Sequence, residues 1–379
     1  MDFGLDVTQK ISSWPGFMGH IFRGSRGAGK TLVFISPDGG GSDFIRVVSP
    51  FMKNPLLDGV DIYCIRSLFD EARGGRVISS RYLKNHSATF LVARNKISEK
   101  DVKELFSLKR QFGCRVIVDL DDDLFAIDES HPQYAEYVLE QKKLERLIVL
   151  CDLLVASTPE VVSGVRDRGL CPNSVVLPNY LDDRIWVWGD RLAESSDSAI
   201  RVLYSGTETH DADLKMIADY FPNIEEEVRS ATGRELEIHV VGGTLLELSG
   251  LTVHRVPDDC RRYDRYVRWL CGLGDFDFAM APLCLDNKLN HAKSNLKFLE
   301  YSAMGLPCIF TAIEPYDRTV ENGVDGLLVK SNSKRGWVDA FVSLASSQQL
   351  RASMAQAATK KLDDSLLLSQ HFAAWANLV

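Results

Sequence analysis

No stretch of this 379-residue chain holds the roughly 18 consecutive apolar residues that a membrane helix needs, and its start lacks the apolar core of a secretion signal. The expected home is therefore the cytoplasm. Cysteine is present but dispersed: the eight, at 64, 114, 151, 171, 260, 271, 284 and 308, form no close pair, and several sit inside apolar runs. That pattern excludes a disulfide framework and a zinc ribbon, and reads as buried thiols. A surplus of positive charge is also missing. With a net charge of −8 the chain lacks the basic face of a nucleic-acid binder, although Arg261, Arg262, Arg265 and Arg268 form one local basic run. Short repeats and low-complexity tracts are absent. What remains, 45% hydrophobic and 25% charged residues, is ordinary globular composition, and the length calls for two domains.

From about residue 30 the chain alternates short β-rich runs with helical stretches. The strand candidates are Leu32–Ser36, Val60–Ile65, Thr89–Ala93, Arg115–Asp119, Leu153–Ser157 and Val175–Leu177, with helical patterns at 43–53, 99–112 and 133–151. A break containing Trp186, Trp188 and the polar run Glu194–Ser198 interrupts the series. A second series follows: Arg201–Tyr204, Glu237–Val241, Leu251–Val256, Phe276–Ala281, Pro307–Thr311 and Gly326–Val329, with helices near 211–230, 260–272, 294–304 and 334–361. Such alternation predicts an α/β protein of two tandem doubly wound, Rossmann-like domains facing a central cleft. The expected division is 1–185, with 1–30 an irregular lead-in, then 186–363.

One segment carries most of the chemistry. Lys293-Ser294-Asn295 leads into a short amphipathic helix bearing Lys297 and Glu300, which Gly305 and Pro307 stop. A helix N-terminus offers unpaired N–H groups and partial positive charge, a ready site for phosphate, and Lys293 adds a full charge. Glu300, roughly two turns in, suits the two hydroxyls of a ribose. Nucleotide recognition and a plain core helix with solvated lysines both fit this local pattern. Other unusual loops fall at carboxyl ends of strands, where ligands bind in such sheets. They are Pro37–Ser42 with Gly40, Gly41 and Ser42; Asp119–Asp123; Pro178-Asn179-Tyr180; and Ser205–His210.

Two competing motifs need weighing. Gly24–Thr31 satisfies the Walker A pattern, but that loop must open a helix, and here a β-type run follows. The reading is a basic connector, with a phosphate-loop ATPase as an alternative. Asp119, Asp121 and Asp123 end a hydrophobic strand, as carboxylates that hold a divalent cation do. A solvated turn and sugar-hydroxyl recognition are the other readings of that cluster.

Taken in order, these motifs resemble the retaining glycosyltransferases of the B-type fold, family 4, and especially their O-antigen and surface-polysaccharide subgroup. Lys293–Pro307 resembles the glutamate-bearing donor-site helix, and Val175–Asp182 the Pro-Asn-Gly-Val-Asp junction. Tyr204–His210, followed by Asp211 and Asp213, is similar to a Gly-Thr-Pro-Thr-His loop, while Asp119–Phe125 and Ser157–Glu160 have counterparts in the same subgroup. By position, Glu300 matches the family's second glutamate, on the nucleotide ribose. The first, which holds donor-sugar hydroxyls, is replaced by Ala292, and the usual Arg/Lys pair gives way to Gly206, Thr207 and His210.

The resemblance implies a hexosyltransferase that moves a hexose or deoxyhexose from a UDP-, GDP- or dTDP-linked sugar to a glycan or lipid-linked glycan hydroxyl, with retention. The implied donor residues are Gly206, Thr207, His210, Gly242, Lys293, Ser294, Asn295, Lys297 and Glu300. Asp121, Asp122 and Lys293 take catalytic positions, and Gly40, Gly41 and Ser42 the acceptor side. No metal or other cofactor is expected. Residues 364–379 are expected to form a helix crossing back to the first domain, and peripheral attachment at the inner membrane face or in a complex fits the same picture. A catalytically inactive binding subunit is the rival that Ala292 supports.

Overall fold

The computed structural model describes residues 21–23, 29–35, 41–52, 54–70, 75–94, 97–129, 131, 133–186, 199–244, 246 and 250–379. Two compact units emerge. One comprises Met1–Ile127, Gln133–Asn179 and His371–Val379; the other comprises Asp128–Pro132 and Tyr180–Gln370.

The first unit is built on strands β1 (Ile21–Arg23), β2 (Lys30–Ile35), β3 (Val60–Ile65), β4 (Ser87–Ala93), β5 (Arg115–Leu120), β6 (Leu153–Ala156) and β7 (Ser174–Val176). Their order in the sheet is β1-β3-β2-β4-β5-β6-β7, parallel except for β1. Leu32, Val33, Ile35, Phe90, Leu91, Val116 and Ile117 are fully buried, as expected for parallel strands covered on both faces. Helices α1 (Glu99–Phe112), α2 (Tyr134–Leu150) and α3 (Pro159–Asp167) supply part of that cover. Ser98 starts α1 by accepting from the Asp101 amide.

The second unit holds β8 (Ala199–Gly206), β9 (Glu235–Gly242), β10 (Leu251–Arg255), β11 (Phe278–Ala281), β12 (Cys308–Thr311) and β13 (Leu327–Val329). All are parallel, in the order β10-β9-β8-β11-β12-β13. Its longer helices are α4 (Asp211–Ala218), α5 (Phe221–Thr232), α6 (Tyr263–Cys271), α7 (Leu296–Ala303), α8 (Lys334–Ser346) and α9 (Gln348–Ser365). Strand order reverses between β2 and β4 in the first sheet and between β8 and β11 in the second. At such a switch point neighbouring loops diverge and leave a crevice beyond the strand tips.

The predicted strands all form, within a residue or three of their expected ends. Two expected helices are split. Pro222 lacks an N–H and restarts the 211–230 stretch as α5, and Ser347 interrupts 334–361 by capping the Leu350 amide. The 43–53 segment is wound as a π-helix over Phe44–Val48. Beyond residue 364, regular helix is confined to α10 (Phe372–Ala376) after a short 3-10 turn. Within the first unit, Trp375 of α10 packs edge-on to Phe51 at 5.6 Å, and Arg115 donates to the Leu378 carbonyl at 2.7 Å. No helix among the described residues is long and apolar enough to cross a membrane.

Candidate functional site

In the second unit, β8 and β9 end side by side, with Gly206 in register with Gly242. Gly242 has φ +110, and a Cβ there would lie 2.1 Å from the Gly206 carbonyl oxygen. Only glycine fits such an approach, so the strand tips meet as bare backbone. Ser205, one residue earlier, is the hub of a polar cluster.

Ser205 Oγ is hydrogen-bonded to Tyr266 of α6 at 2.9 Å and accepts from Lys297 Nζ of α7 at 3.0 Å, while its amide donates to Tyr301 at 2.9 Å. Lys297 also donates to Glu300 Oε2 at 2.9 Å, and Tyr263 donates to Glu300 Oε1 at 2.9 Å. Glu300 is 2% exposed, so both oxygens are spoken for inside the protein. Burial acts against the charge on Lys297, but the Glu300 carboxylate outweighs it and holds the ammonium above its ordinary range. Helix α7 begins at Leu296, which places Glu300 just past its first turn rather than two turns in. Gly305, at φ +67, ends the segment in the left-handed region glycine favours.

Beyond Gly206 the chain makes a 3-10 turn over Glu208–His210, in which the Thr207 and Thr209 hydroxyls share a 2.8 Å hydrogen bond. His210 Nδ1 then meets Asp213 Oδ2 at 3.0 Å. The other Asp213 oxygen accepts from the Cys284 amide at 2.7 Å and from Asn290 at 2.8 Å. Cys284 follows β11, so this carboxylate joins the two loops that part at the switch point. Burial would raise Asp213, but the bonds from His210 and Cys284 hold it below the usual carboxylate range. His210 itself is lowered, by burial and then by the charges of Lys293 and Lys297, against the pull of Asp213. Lys293 and Ser294 lie in the turn before α7, and Asn295 is anchored to Thr319 at 3.1 Å. Ala292 is 3% exposed, and its neighbour His291 pairs with Glu314 at 2.6 Å.

The first unit has a second cluster at its own switch point. Arg94, just past β4, has φ +56, unusual for a branched-chain-free but bulky cation. Its Nε lies 3.3 Å from Asp121 Oδ1, its Nη2 lies 3.6 Å from Asp122 Oδ2, and it donates to Tyr137 at 3.3 Å. Asp121 is 8% exposed. The Arg94 Nε and Asp121 Oδ1 atoms are both buried and form no hydrogen bond, each facing the other only as a charge. Gly40 lies outside the described residues, while Gly41 and Ser42 open a one-turn helix after β2.

The competing motifs resolve on geometry. Lys30 and Thr31 begin strand β2, not a helix, and Thr31 bonds to Tyr82 at 2.8 Å; the phosphate-loop alternative lacks the helix it requires. Asp119 gives both oxygens to Arg46, at 2.8 and 3.0 Å, and Asp123 packs on Gly164, where a Cβ would lie 1.9 Å from its carboxylate. Two of the three aspartates of the metal reading are thus committed to protein partners. Two arginines of the basic run at 261–268 have local counterions: Arg262 pairs with Asp264 and Arg261 with Asp258 at 2.7 Å, while Arg265 donates to the Asp259 carbonyl.

Sequence reasoning missed Tyr263, Tyr266, Arg94 and Arg46 altogether. The tyrosines had a signal, their i, i+3 spacing on one helix face; the buried arginines had none.

Residues 296–361, from α7 through most of α9, match the family model described as Glycosyl transferases group 1. The match lies wholly within the second unit and covers less than a fifth of the chain. No curated protein matches the chain in sequence. Among solved structures it is similar to the sucrose-phosphate synthase of Thermosynechococcus elongatus, with 11% identity, a TM-score of 0.63, and 92% of this chain and 96% of that one covered. It is also similar to Anabaena HepE in complex with UDP-glucose, with 11% identity, a TM-score of 0.61, and 92% and 98% covered. A variant of S. aureus TarM, solved with Fondaparinux, alpha-GlcNAc-glycerol and UDP, shares 10% identity at a TM-score of 0.54 over 77% of this chain. The chain spans only 55% of that TarM chain. At such identities the likeness is one of architecture: two Rossmann-like units in tandem, the glycosyltransferase B fold.

Proposed function

We propose that the protein is a retaining hexosyltransferase that moves a hexose or deoxyhexose from a nucleotide-diphosphate sugar to a hydroxyl of a glycan or lipid-linked glycan, in bacterial surface-polysaccharide synthesis. The observation that carries this reading is the polar cluster of Ser205 with Lys297 and Glu300 of α7, and the His210–Asp213 pair, set beside bare backbone at the second unit's switch point. The group 1 segment begins on that same helix, and the HepE structure holds UDP-glucose. Negative charge grows on the departing diphosphate as the anomeric bond breaks. Each preorganised donor aimed at it contributes about 3 kcal/mol. Lys293, the Ser294 and Asn295 amides and the Gly206-Thr207 backbone are the donors in this reading, with Lys297 and Glu300 at the nucleotide end and no metal required. In a same-face displacement the departing phosphate oxygen takes the acceptor proton. Asp121 and Asp122, held by Arg94, serve the sugar, and Gly40, Gly41 and Ser42 the acceptor.

Lys293→Ala is expected to lower transfer at least tenfold while leaving the thermal midpoint in place. The donor is first identified by thermal shift with UDP, GDP and dTDP. Unchanged turnover in the variant, or no shift with any of the three, removes the reading. Ala292 supports a second one, a binding subunit without turnover, because a methyl group replaces the expected sugar-binding carboxylate at a buried position. Stabilisation by a nucleotide without consumption of any nucleotide sugar selects it.

A further inference from the structure

We infer that His210 and Asp213 form a proton-coupled anion clamp: binding of the donor diphosphate draws one proton from solvent onto His210 Nε2, and Asp213 is the positioning residue that makes this possible. The inference rests on the donor-site reading above and adds a proton to it.

Asp213 is a buried carboxylate, 3% exposed, and an acceptor toward three donors. Because its Oδ2 accepts from His210 Nδ1, that nitrogen carries the hydrogen in the neutral ring. Nε2 is then a bare lone pair, and it makes no hydrogen bond among the described residues. A lone pair repels a phosphate oxygen, so an anion approaching Nε2 is accommodated only when the ring gains a second proton. Asp213 stabilises the resulting imidazolium from behind, and its own orientation is fixed by the Cys284 amide and Asn290.

The surrounding charges set when the proton arrives. Asp213 on α4 favours the imidazolium, while Lys293 before α7 and Lys297 on α7 oppose it, as does burial. Asp211 is next in the chain and Tyr316 lies beyond Tyr204; two closer groups are the Tyr204 hydroxyl, which donates to the His210 carbonyl at 3.3 Å, and the Cys284 thiol, pushed up to about 12 by burial and by Asp213. Both stay neutral at physiological pH. Without ligand, the ring therefore titrates below its ordinary value and is neutral at pH 7. A diphosphate neutralises Lys293 and adds negative charge, reversing the balance. Affinity is thus complete below the free-ring pKa and falls by up to tenfold per pH unit as pH rises toward the ligand-bound pKa. Across that window close to one proton is taken up. The only bonds that change are those to the proton: it leaves a buffer acid, an Nε2–H bond forms, and that N–H donates to a phosphate oxygen.

The test uses the full chain and a nucleotide sugar, whose diphosphate is esterified at both ends and has no proton of its own to lose near neutrality. Whichever of UDP-glucose, GDP-mannose and dTDP-glucose binds is titrated calorimetrically from pH 6 to 9, in two buffers of different ionisation enthalpy. Wild type is expected to take up close to one proton at pH 8 and to lose affinity with rising pH. His210→Gln, whose amide donates without titrating, should bind with no uptake and a flat pH profile. Asp213→Asn should at least halve the uptake at pH 8. A purely structural Asp213 would lower the thermal midpoint and leave uptake intact, which overturns the inference. So does zero uptake by wild type, or the same uptake in His210→Gln, with binding retained and the donor-site reading untouched. No binding of any of the three sugars sinks that reading itself, and this inference with it.

Discussion

Arg46→Leu is expected to lower the free energy of unfolding by about 3–5 kcal/mol, the range for removing one partner of a buried ion pair. Arg46 is 2% exposed and its guanidinium is fully used. It donates twice to Asp119, to the Leu177 carbonyl at 2.5 Å and to Asn179 at 3.1 Å, and its cation lies 4.8 Å from the centre of the Trp375 ring. One side chain thereby ties β5, the turn after β7 and α10 into the first unit. Leucine leaves Asp119, itself 1% exposed, as a charge with no counterion.

The pH dependence of that loss has a definite sign. Burial already pushes Asp119 above the usual carboxylate range despite Arg46. Without Arg46 it rises further, so the folded variant binds its proton more tightly than the unfolded chain does. Stability then falls as pH rises from the ordinary carboxylate value through the raised one. Urea unfolding should show a small loss near pH 5 and the full loss at pH 8. Adding Asp119→Leu should recover most of it, since an apolar pair asks for no solvation. A loss that ignores pH, or that the second substitution deepens, would refute the counterion role.

How much of this was legible beforehand follows from the physics of each feature. Periodicity gave the strands because buried parallel strands are continuous apolar runs; Leu32–Ile35 and Val116–Val118 announce themselves. The turn chemistry of Gly305-Leu306-Pro307 marked the end of α7. The family resemblance, not periodicity, brought Lys293, Lys297, Glu300, His210 and Gly206 forward as one group; in the structure Lys297, paired with Glu300, meets Ser205 at the tip of β8, and Gly206 and His210 follow it. Partnership was not legible. Asp119, Asp121 and Asp123 look alike in sequence, but one pairs with Arg46, one faces Arg94 and one packs on α3. Those partners are 73, 27 and 41 positions away, at Arg46, Arg94 and Gly164. Only tertiary contact tells such carboxylates apart. The arginine run at 261–268 misled for the converse reason: its counterions, Asp258 and Asp264, are local, and its two tyrosines rather than its charges reach Ser205 and Glu300.

Glu300→Gln is expected to cost at least tenfold in transfer and about 1–3 kcal/mol in stability. The stability figure is the buried-pair value reduced because the Lys297 side chain is 27% exposed and partly screened by solvent. Two roles for the carboxylate predict different companions to that loss. If Glu300 serves the nucleotide ribose, a hydroxyl must displace Tyr263 or Lys297 from an oxygen that each now occupies. The preference for UDP over 2′-deoxy-UDP, or for the matching pair if the base differs, should then shrink in Glu300→Gln. If Glu300 acts only by holding Lys297 against Ser205, the ribose preference stays. Lys297→Met alone should then be as damaging as the double variant, because the two side chains act as one unit. Tyr263→Phe separates the cases further. It frees Oε1 for a hydroxyl, so ribose preference should rise under the first role and stay level under the second. Full transfer activity in Glu300→Gln excludes both, since a buried carboxylate bridging two helices at the β8 tip would then be structural alone.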